Sequence, residues 1–497
     1  MNRVRAAFAA MVLGILLPAP PASAAEPAAL SLAWSPCAAA GSSLECATIQ
    51  VPLDHADPTG PSIDLAISRL PAADPSRRRG VLLVNPGGPG GSGLGLPEYI
   101  AQLFAGHPRV AQEFDLIGFD PRFVGRSSPA TCGLTGADIA ILRWPGAGGF
   151  PGEVAQARSI AQRCAAHAGW AIPYATTADA ARDMDLIRAA LGERKMSYLG
   201  YSYGTSLARA YVALFPDRVD RFVLDSNTNP LESGRETFRG FGPAFERMLG
   251  LFASAAARDD ARYGLGSDAR TVRRVVDGLV ARAEKEPLPV GEETFTAAEL
   301  RTLIFRMLYA ENRFDYLGRF LSVLRAGQPL PADLAFLVNA GSWEAPPPAP
   351  ADNAVAGYFL VTCADSKWPT KVGRYRAEQV IDSRAYPFFG PAAANISPCA
   401  FWPEIDRPGM PSVAGSRIPS VAGSRVPVLL INSLGDPATP YAGALATRRM
   451  MPNARLVTVS ASHHAVLGEY PNACVEEAAV GYLLSGRLPM RDLACPA

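Results

Sequence analysis

Met196-Ser197-Tyr198-Leu199-Gly200-Tyr201-Ser202-Tyr203-Gly204-Thr205-Ser206 is a short apolar run that breaks at G-Y-S-Y-G and passes into the small-residue start of a helix, Leu207-Ala208-Arg209-Ala210-Tyr211-Val212. A serine in G-x-S-x-G between strand and helix sits in a sharp turn that pushes its Oγ into open space. Side chains in place of Gly200 or Gly204 would collide across that turn. The N-terminus of the following helix favours negative charge developing beside it. The pentapeptide alone recurs by chance. Strand before and helix after make it a nucleophile elbow centred on Ser202.

Upstream, Ala47–Val51 and Ile63–Leu70 read as strands, the second alternating with period two, and the turn Ala56-Asp57-Pro58-Thr59-Gly60 joins them as an antiparallel hairpin. Val81-Leu82-Leu83-Val84 is continuously apolar, as a strand buried on both faces requires. It empties into Asn85-Pro86-Gly87-Gly88-Pro89-Gly90-Gly91-Ser92-Gly93. So many glycines let backbone N–H groups approach a ligand closely. The loop lacks the G-K-[ST] ending of a phosphate cradle, which leaves half of an oxyanion hole as the functional reading. Phe114–Phe119 is the next buried strand and leads into Asp120-Pro121-Arg122. Arg122 is a candidate for holding the glycine loop or contacting substrate, with a structural ion pair as the competing reading. Thr177–Leu191 is a helix with Thr177 as its cap and Ala180, Met184, Ile187 and Leu191 as its apolar stripe. Phe222–Ser226 is another strand. Strands alternating with helices mean a mainly parallel sheet.

After Asn229-Pro230 the pattern changes. Residues 231–400 are helical and loop-rich, and Phe238, Phe241, Phe245, Met248, Leu249 and Phe252 fall on one helix face, where packing is the default role. Trp343–Pro350 is a stiff, proline-rich connector. A tandem repeat follows, Pro411–Ile418 and then Pro419–Val426, which reads as a small duplication in an exposed loop. Sheet character returns with Val426–Asn432, ending at Gly435-Asp436-Pro437-Ala438-Thr439-Pro440, and with Arg455–Val459, ending at Ser460-Ala461-Ser462-His463-His464.

The 497 residues suffice for a catalytic domain with a large insertion, and a net charge of +1 without charged blocks argues against a nucleic-acid partner. Arg3 and Arg5, an apolar run from Ala6 to Leu17 and Ala22-Ser23-Ala24 have the form of a cleaved signal peptide, too short to span a membrane stably. The expected organisation is a signal peptide at 1–24, the first part of the core at 25–230, a cap at 231–400 and the rest of the core at 401–497. Export to the periplasm or the medium makes an even set of cysteines a disulfide framework: Cys37, Cys46, Cys132, Cys164, Cys363, Cys399, Cys474 and Cys495. Pairing between sequence neighbours is the simplest connectivity. The absence of C-x-x-C and of any Cys/His cluster speaks against a metal site.

A serine hydroxyl needs a base, and the base needs a carboxylate to fix its tautomer. Of the five histidines only His463 and His464 follow a late strand. Asp436 is the favoured acid because its turn is rigid, and Asp225, at the end of an earlier strand, is the rival. The order Ser, Asp, His is that of α/β-hydrolases. The expected fold is therefore α/β: an α/β-hydrolase with a mainly parallel central sheet and a large, mostly helical cap. Gly88 and Tyr203 would supply the oxyanion N–H groups.

The glycine loop, Asp120-Pro121-Arg122, Gly200–Thr205, Gly435-Asp436-Pro437 and Ser462-His463, in this order, resemble the tripeptidyl aminopeptidase family, secreted bacterial α/β-hydrolases related to proline iminopeptidases. The likeness runs from Cys46 to Cys495. Family members carry Gly-His where this chain has Ser462-His463, which implies His463 as the base. They also carry a glycine where this chain has Phe123. The resemblance implies a serine exopeptidase without metal or organic cofactor, acting on a peptide through an acyl-enzyme on Ser202. Such an enzyme needs an anion for the substrate's free amine, and Asp365 in the cap is a candidate. The alternatives are a carboxylesterase or lipase-like hydrolase acting on a small ester with the same triad, and an inactive binding protein on this fold.

Overall fold

Continuous apolar runs become strands whose every residue is buried: Gly80–Asn85, Met196–Tyr201 and Val428–Ser433. In the computed structural model, which describes residues 32–37, 42–291, 293–340, 348–405 and 417–497, they lie inside one twisted sheet. The expected signal peptide, most of the proline-rich connector and most of the first repeat copy fall outside the described residues. In chain order the strands are β1 (Ser35–Pro36), β2 (Glu45–Pro52), β3 (Ser62–Leu70), β4 (Gly80–Asn85), β5 (Phe114–Phe119), β6 (Met196–Tyr201), β7 (Val219–Asp225), β8 (Leu288–Val290), β9 (Glu293–Phe295), β10 (Val428–Ser433), β11 (Arg455–Val459) and β12 (Leu493–Cys495). The main sheet has ten strands in the order β1-β2-β3-β5-β4-β6-β7-β10-β11-β12. β1, β2 and β3 form the antiparallel edge, and every pairing from β5 to β12 is parallel.

A parallel sheet must be covered on both faces. Residues alternate between the faces along each strand. Leu83, Tyr198, Phe222 and Leu430 meet one layer, which includes Met184 and Ile187 of helix α1 (Thr177–Ala190) and Leu207 and Tyr211 of helix α2 (Tyr203–Leu214). Leu82, Leu199, Val223 and Leu429 meet the other layer, with Ile100, Phe104, Val480 and Leu483. The cap of α1 is Thr176 and not Thr177. Thr176 has the extended backbone (φ −86°, ψ 152°) that lets its side chain accept from the Asp179 N–H. Thr177 is left free for another partner.

Between Asp225 and Val428 no described residue joins the main sheet. The segment is helical apart from the small antiparallel pair β8–β9, and it has its own core. Helix α3 (Gly234–Arg258) opens with a capping box of Ser233 and Glu236 and buries Phe238, Phe245, Met248, Leu249 and Phe252. Phe241 of the same stripe stays partly exposed. Helix α4 (Asn353–Asp365) is buried along most of its length. The disulfides join sequence neighbours: Cys37–Cys46, Cys132–Cys164, Cys363–Cys399 and Cys474–Cys495. No helix among the described residues is long and apolar enough to cross a membrane.

Candidate active site

The parallel strands end on one edge, and ligand sites of open α/β sheets form outside such carboxyl ends. β6 ends at Tyr201 and α2 begins at Tyr203, so Ser202 alone makes the turn, with φ 56° and ψ −122°. A non-glycine residue at positive φ is strained and persists only where its surroundings hold it. Here the Ser202 N–H donates to the Asp225 carbonyl at 2.9 Å, and its own carbonyl accepts from Thr205 N at 2.9 Å and Thr205 Oγ1 at 2.6 Å. A Cβ at Gly204 would lie 2.9 Å from Asn85 Oδ1, so the elbow closes directly on the end of β4.

The glycine loop presses on the same turn. A Cβ on Gly87 would lie 2.5 Å from the Tyr201 carbonyl, at a φ of +90° that side chains rarely adopt. Gly88, Ser202 and Tyr203 line one cavity of about 270 Å³. What holds the loop is Asp120: one carboxylate oxygen accepts from Ser92 Oγ at 2.5 Å and Gly93 N at 3.0 Å, the other from Arg126 N at 2.8 Å.

Arg122 does not hold the loop and does not touch the cavity. Its guanidinium makes a double hydrogen bond to Asp183, 2.7 Å at each oxygen, and donates to the carbonyls of Pro52, Leu53 and Tyr174. Arg122 is 2% exposed and Asp183 1%, with His55 beside them at 2.9 Å from each. The residue is a buried strut between the edge hairpin and α1. Removing one partner of such a pair leaves a buried charge alone. Arg122→Met is expected to lower the unfolding free energy by about 3–5 kcal/mol in urea titrations. A loss under about 1 kcal/mol, together with a raised KM, would restore the substrate-contact reading.

Asp436 sits 3% exposed in the turn after β10. Its Oδ1 accepts from the N–H groups of Ala438 and Thr439 at 2.9 and 2.8 Å, and its Oδ2 accepts from Thr439 Oγ1 at 2.8 Å. The imidazole facing it is that of His464, whose Nδ1 lies 2.9 and 3.0 Å from the two oxygens. His463 is turned away. Its Nδ1–H donates to the His464 carbonyl at 2.8 Å, its Nε2 lies 3.2 Å from Asn312 Oδ1, and it is fully buried beside Tyr470. Burial pushes the His463 pKa down to about 4. Adjacent side chains of an extended segment point to opposite sides, so only one of the two histidines faces the acid. A bridge between His463 and Ala310, with His464 N donating to the Tyr309 carbonyl at 2.9 Å, decides which. The rival acid, Asp225, accepts from Leu467 N at 2.5 Å and Ser226 Oγ at 3.1 Å, and burial raises its pKa to about 6. It anchors the loop behind His464.

Asp365 does line the Ser202 cavity, with its carboxylate committed to α1. It accepts from Thr177 N at 2.8 Å and Thr177 Oγ1 at 2.6 Å, and the Tyr203 hydroxyl closes the chain 2.6 Å from Thr177 Oγ1. Burial raises the Asp365 pKa to about 7. The sequence reading missed Thr439, Arg209 and Glu232, which also border the cavity. Thr439 had a local signal, a hydroxyl three residues after an acid in a turn. The others had none. Phe238, Phe241, Phe305 and Tyr358 supply an aromatic wall.

A family model described as the alpha/beta hydrolase fold matches residues 80–470. A tripeptidyl aminopeptidase of Streptomyces lividans is 35% identical over 95% of this chain and 88% of its own length. Serine protease Hip1 of Mycobacterium tuberculosis is 31% identical over 93% and 90%, and Carboxylesterase B of the same organism 33% over 90% and 86%. These likenesses run through both halves of the sheet and the helical segment between them. The chain is a serine hydrolase of the α/β-hydrolase fold, and it belongs to the tripeptidyl aminopeptidase family.

Proposed function

We propose that the protein is an exported serine exopeptidase that releases short N-terminal peptides through an acyl-enzyme on Ser202. The observation that carries the reading is the Asp436–His464 pair, in the loops that follow β10 and β11 of the same parallel sheet whose strand β6 leads into Ser202, itself held at positive φ. Ser202 Oγ attacks the scissile carbonyl as His464 Nε2 takes its proton. Asp436 keeps the other imidazole proton on Nδ1 and stabilises the imidazolium. The N–H groups of Tyr203 and Gly88 receive the oxyanion, each worth about 3 kcal/mol. His464 then protonates the leaving amine, and water resolves the ester by the reverse path. The signal-like N-terminus and the four disulfides support export. Residues 231–400 act as a cap that limits what reaches Ser202.

Carboxylesterase B among the relatives favours one second reading, an esterase with the same triad. A fluorophosphonate probe and two substrates decide between them. The probe labels the wild type and not Ser202→Ala. A free-amine tripeptide anilide is then cleaved with a kcat/KM at least about tenfold above its N-acetylated form, since a paired ammonium contributes about 1.5–3 kcal/mol. Fast turnover of a short-chain nitrophenyl ester with no peptide cleavage would give the esterase reading. Asp365, with Glu232 at the rim, is the proposed partner of the free amine. Because the Asp365 pKa is about 7, its charge and the preference for the free amine grow as pH rises from 6 to 7.5. Asp365→Asn is expected to flatten that rise. If free-amine and blocked substrates respond alike, Asp365 has no such role.

A further inference from the structure

Ser202, Ser206 and Arg209 all line the cavity, spaced i, i+4 and i+7 on one face of α2. The Arg209 side chain runs back along the helix to Ser206, four residues and about 6 Å of helix rise from Ser202. The cavity wall therefore runs from the nucleophile to a guanidinium. Arg209 is 3% exposed. Its hydrogen-bond partners are neutral: the Thr228 carbonyl at 3.1 Å, Thr228 Oγ1 at 2.9 Å and Ser206 Oγ at 3.1 Å. Neither of the two carboxylates that border the cavity hydrogen-bonds to Arg209. Asp365 accepts from Thr177, and Glu232 accepts from Asn229 Nδ2 at 2.8 Å and Thr237 Oγ1 at 3.5 Å. Burial brings the Arg209 pKa down to about 10, so it remains charged at neutral pH.

A buried cation ordinarily has an anion beside it, because desolvation without a counter-charge is costly. A hydroxyl and a carbonyl would suffice if the residue served only to tie α2 to the segment after β7, and a neutral side chain would tie it at lower cost. We infer that Arg209 is a carboxylate-binding subsite of the Ser202 cavity, which recognises an acidic group of the substrate on the α2 side of that cavity. The inference rests on the reading of Ser202 as the nucleophile of that cavity. The carboxylate has two possible sources, an acidic side chain in the released segment or the C-terminal carboxylate of a short peptide.

The test measures ratios within matched pairs of substrates on the full-length mature enzyme. One arm compares Glu with Gln at each of the first three positions of a free-amine tripeptide anilide. The other compares alanine penta- and hexapeptides as free acids and as C-terminal amides. In one arm the wild type is expected to favour the carboxylate by about 10- to 100-fold in kcat/KM, the worth of a charge-assisted hydrogen bond. In Arg209→Gln that ratio falls to within about twofold of unity, and Arg209→Lys, which keeps the charge and loses the fork, keeps part of it. No preference in either arm for an active wild type overturns the subsite. So does an Arg209→Gln that loses all substrates by one factor with its ratio intact. If Arg209→Gln does not fold, Arg209→Lys decides, and an unchanged ratio there overturns the subsite. Failure of the Ser202 reading looks different: fluorophosphonate labelling survives Ser202→Ala, and no matched pair is turned over by a Ser202-dependent route.

Discussion

His464→Ala is expected to lower kcat by about four to six orders of magnitude on any peptide or ester, while His463→Ala lowers it by no more than about tenfold per titrated active site. The two residues are neighbours in sequence and opposites in environment. His464 Nδ1 lies against both oxygens of Asp436, which holds the tautomer a general base needs. His463 has no carboxylate partner, and with a pKa of about 4 it is a poor acceptor for a serine proton at neutral pH. Its contribution is to the fold. The unfolded imidazole titrates near 6.5 and the folded one near 4, so the unfolded chain binds more protons between those values. His463 therefore contributes a loss of about 3 kcal/mol as pH drops through that window, superposed on the opposite slope of Asp225 and Asp365, whose raised pKa values favour the fold as they protonate. His463→Phe removes the histidine's contribution from urea titrations run between pH 7 and 4. Kinetics with the order reversed, His463→Ala dead and His464→Ala active, would return the base to His463.

That histidine choice marks where the sequence stops being informative. Strands buried on both faces are legible because burial allows no polar residue in Leu82–Val84 or Leu429–Ile431. The turn at Ser202 is legible because close backbone approach admits only glycine at Gly87 and Gly204, and composition records that steric demand directly. Which of two adjacent histidines faces Asp436 depends on a bridge to Ala310, some 150 residues earlier in the chain, and no local pattern contains it. Arg122 misled for the same reason. It follows a strand that ends at the site, yet its guanidinium runs back to Asp183 of α1, and Asp120 beside it clamps the glycine loop. Thr177 looked like a cap because a cap was needed there. Thr176 has the extended backbone for it, which releases the Thr177 hydroxyl to join Asp365 to Tyr203. The cavity wall is the least legible part. Glu232, just before α3, and Phe241, in its first turns, come from one segment and Arg209 from α2, and their convergence depends on how the helical segment lies over the sheet.

Asp436→Asn is expected to lower kcat by about 10³- to 10⁴-fold with KM little changed, and Asp225→Asn by less than about tenfold. The hydrogen bonds around Asp436 dictate how an asparagine would sit. The N–H groups of Ala438 and Thr439 both point at the Oδ1 position, so the amide oxygen must occupy it. The amide NH₂ then takes the Oδ2 position, facing His464 Nδ1 and the Thr439 hydroxyl. The amide NH₂ at 3.0 Å competes with the amide oxygen at 2.9 Å for Nδ1, which favours that nitrogen as an acceptor and shifts the imidazole proton toward Nε2. In that tautomer the Nε2 that should receive the Ser202 proton already carries one. The loss is therefore one of tautomer, and it appears in kcat because substrate binding does not require the proton transfer. Asp225 has no imidazole to orient. Its oxygens accept from the Leu467 N–H and the Ser226 hydroxyl, and an isosteric amide keeps an acceptor for the Leu467 N–H, as the protonated acid does at pH below about 6. Comparing the two variants on one substrate, with the concentration of active sites measured by burst titration, separates the two acids. A larger kcat loss in Asp225→Asn than in Asp436→Asn would mean that the strand β7 carboxylate, and not the one after β10, governs the base.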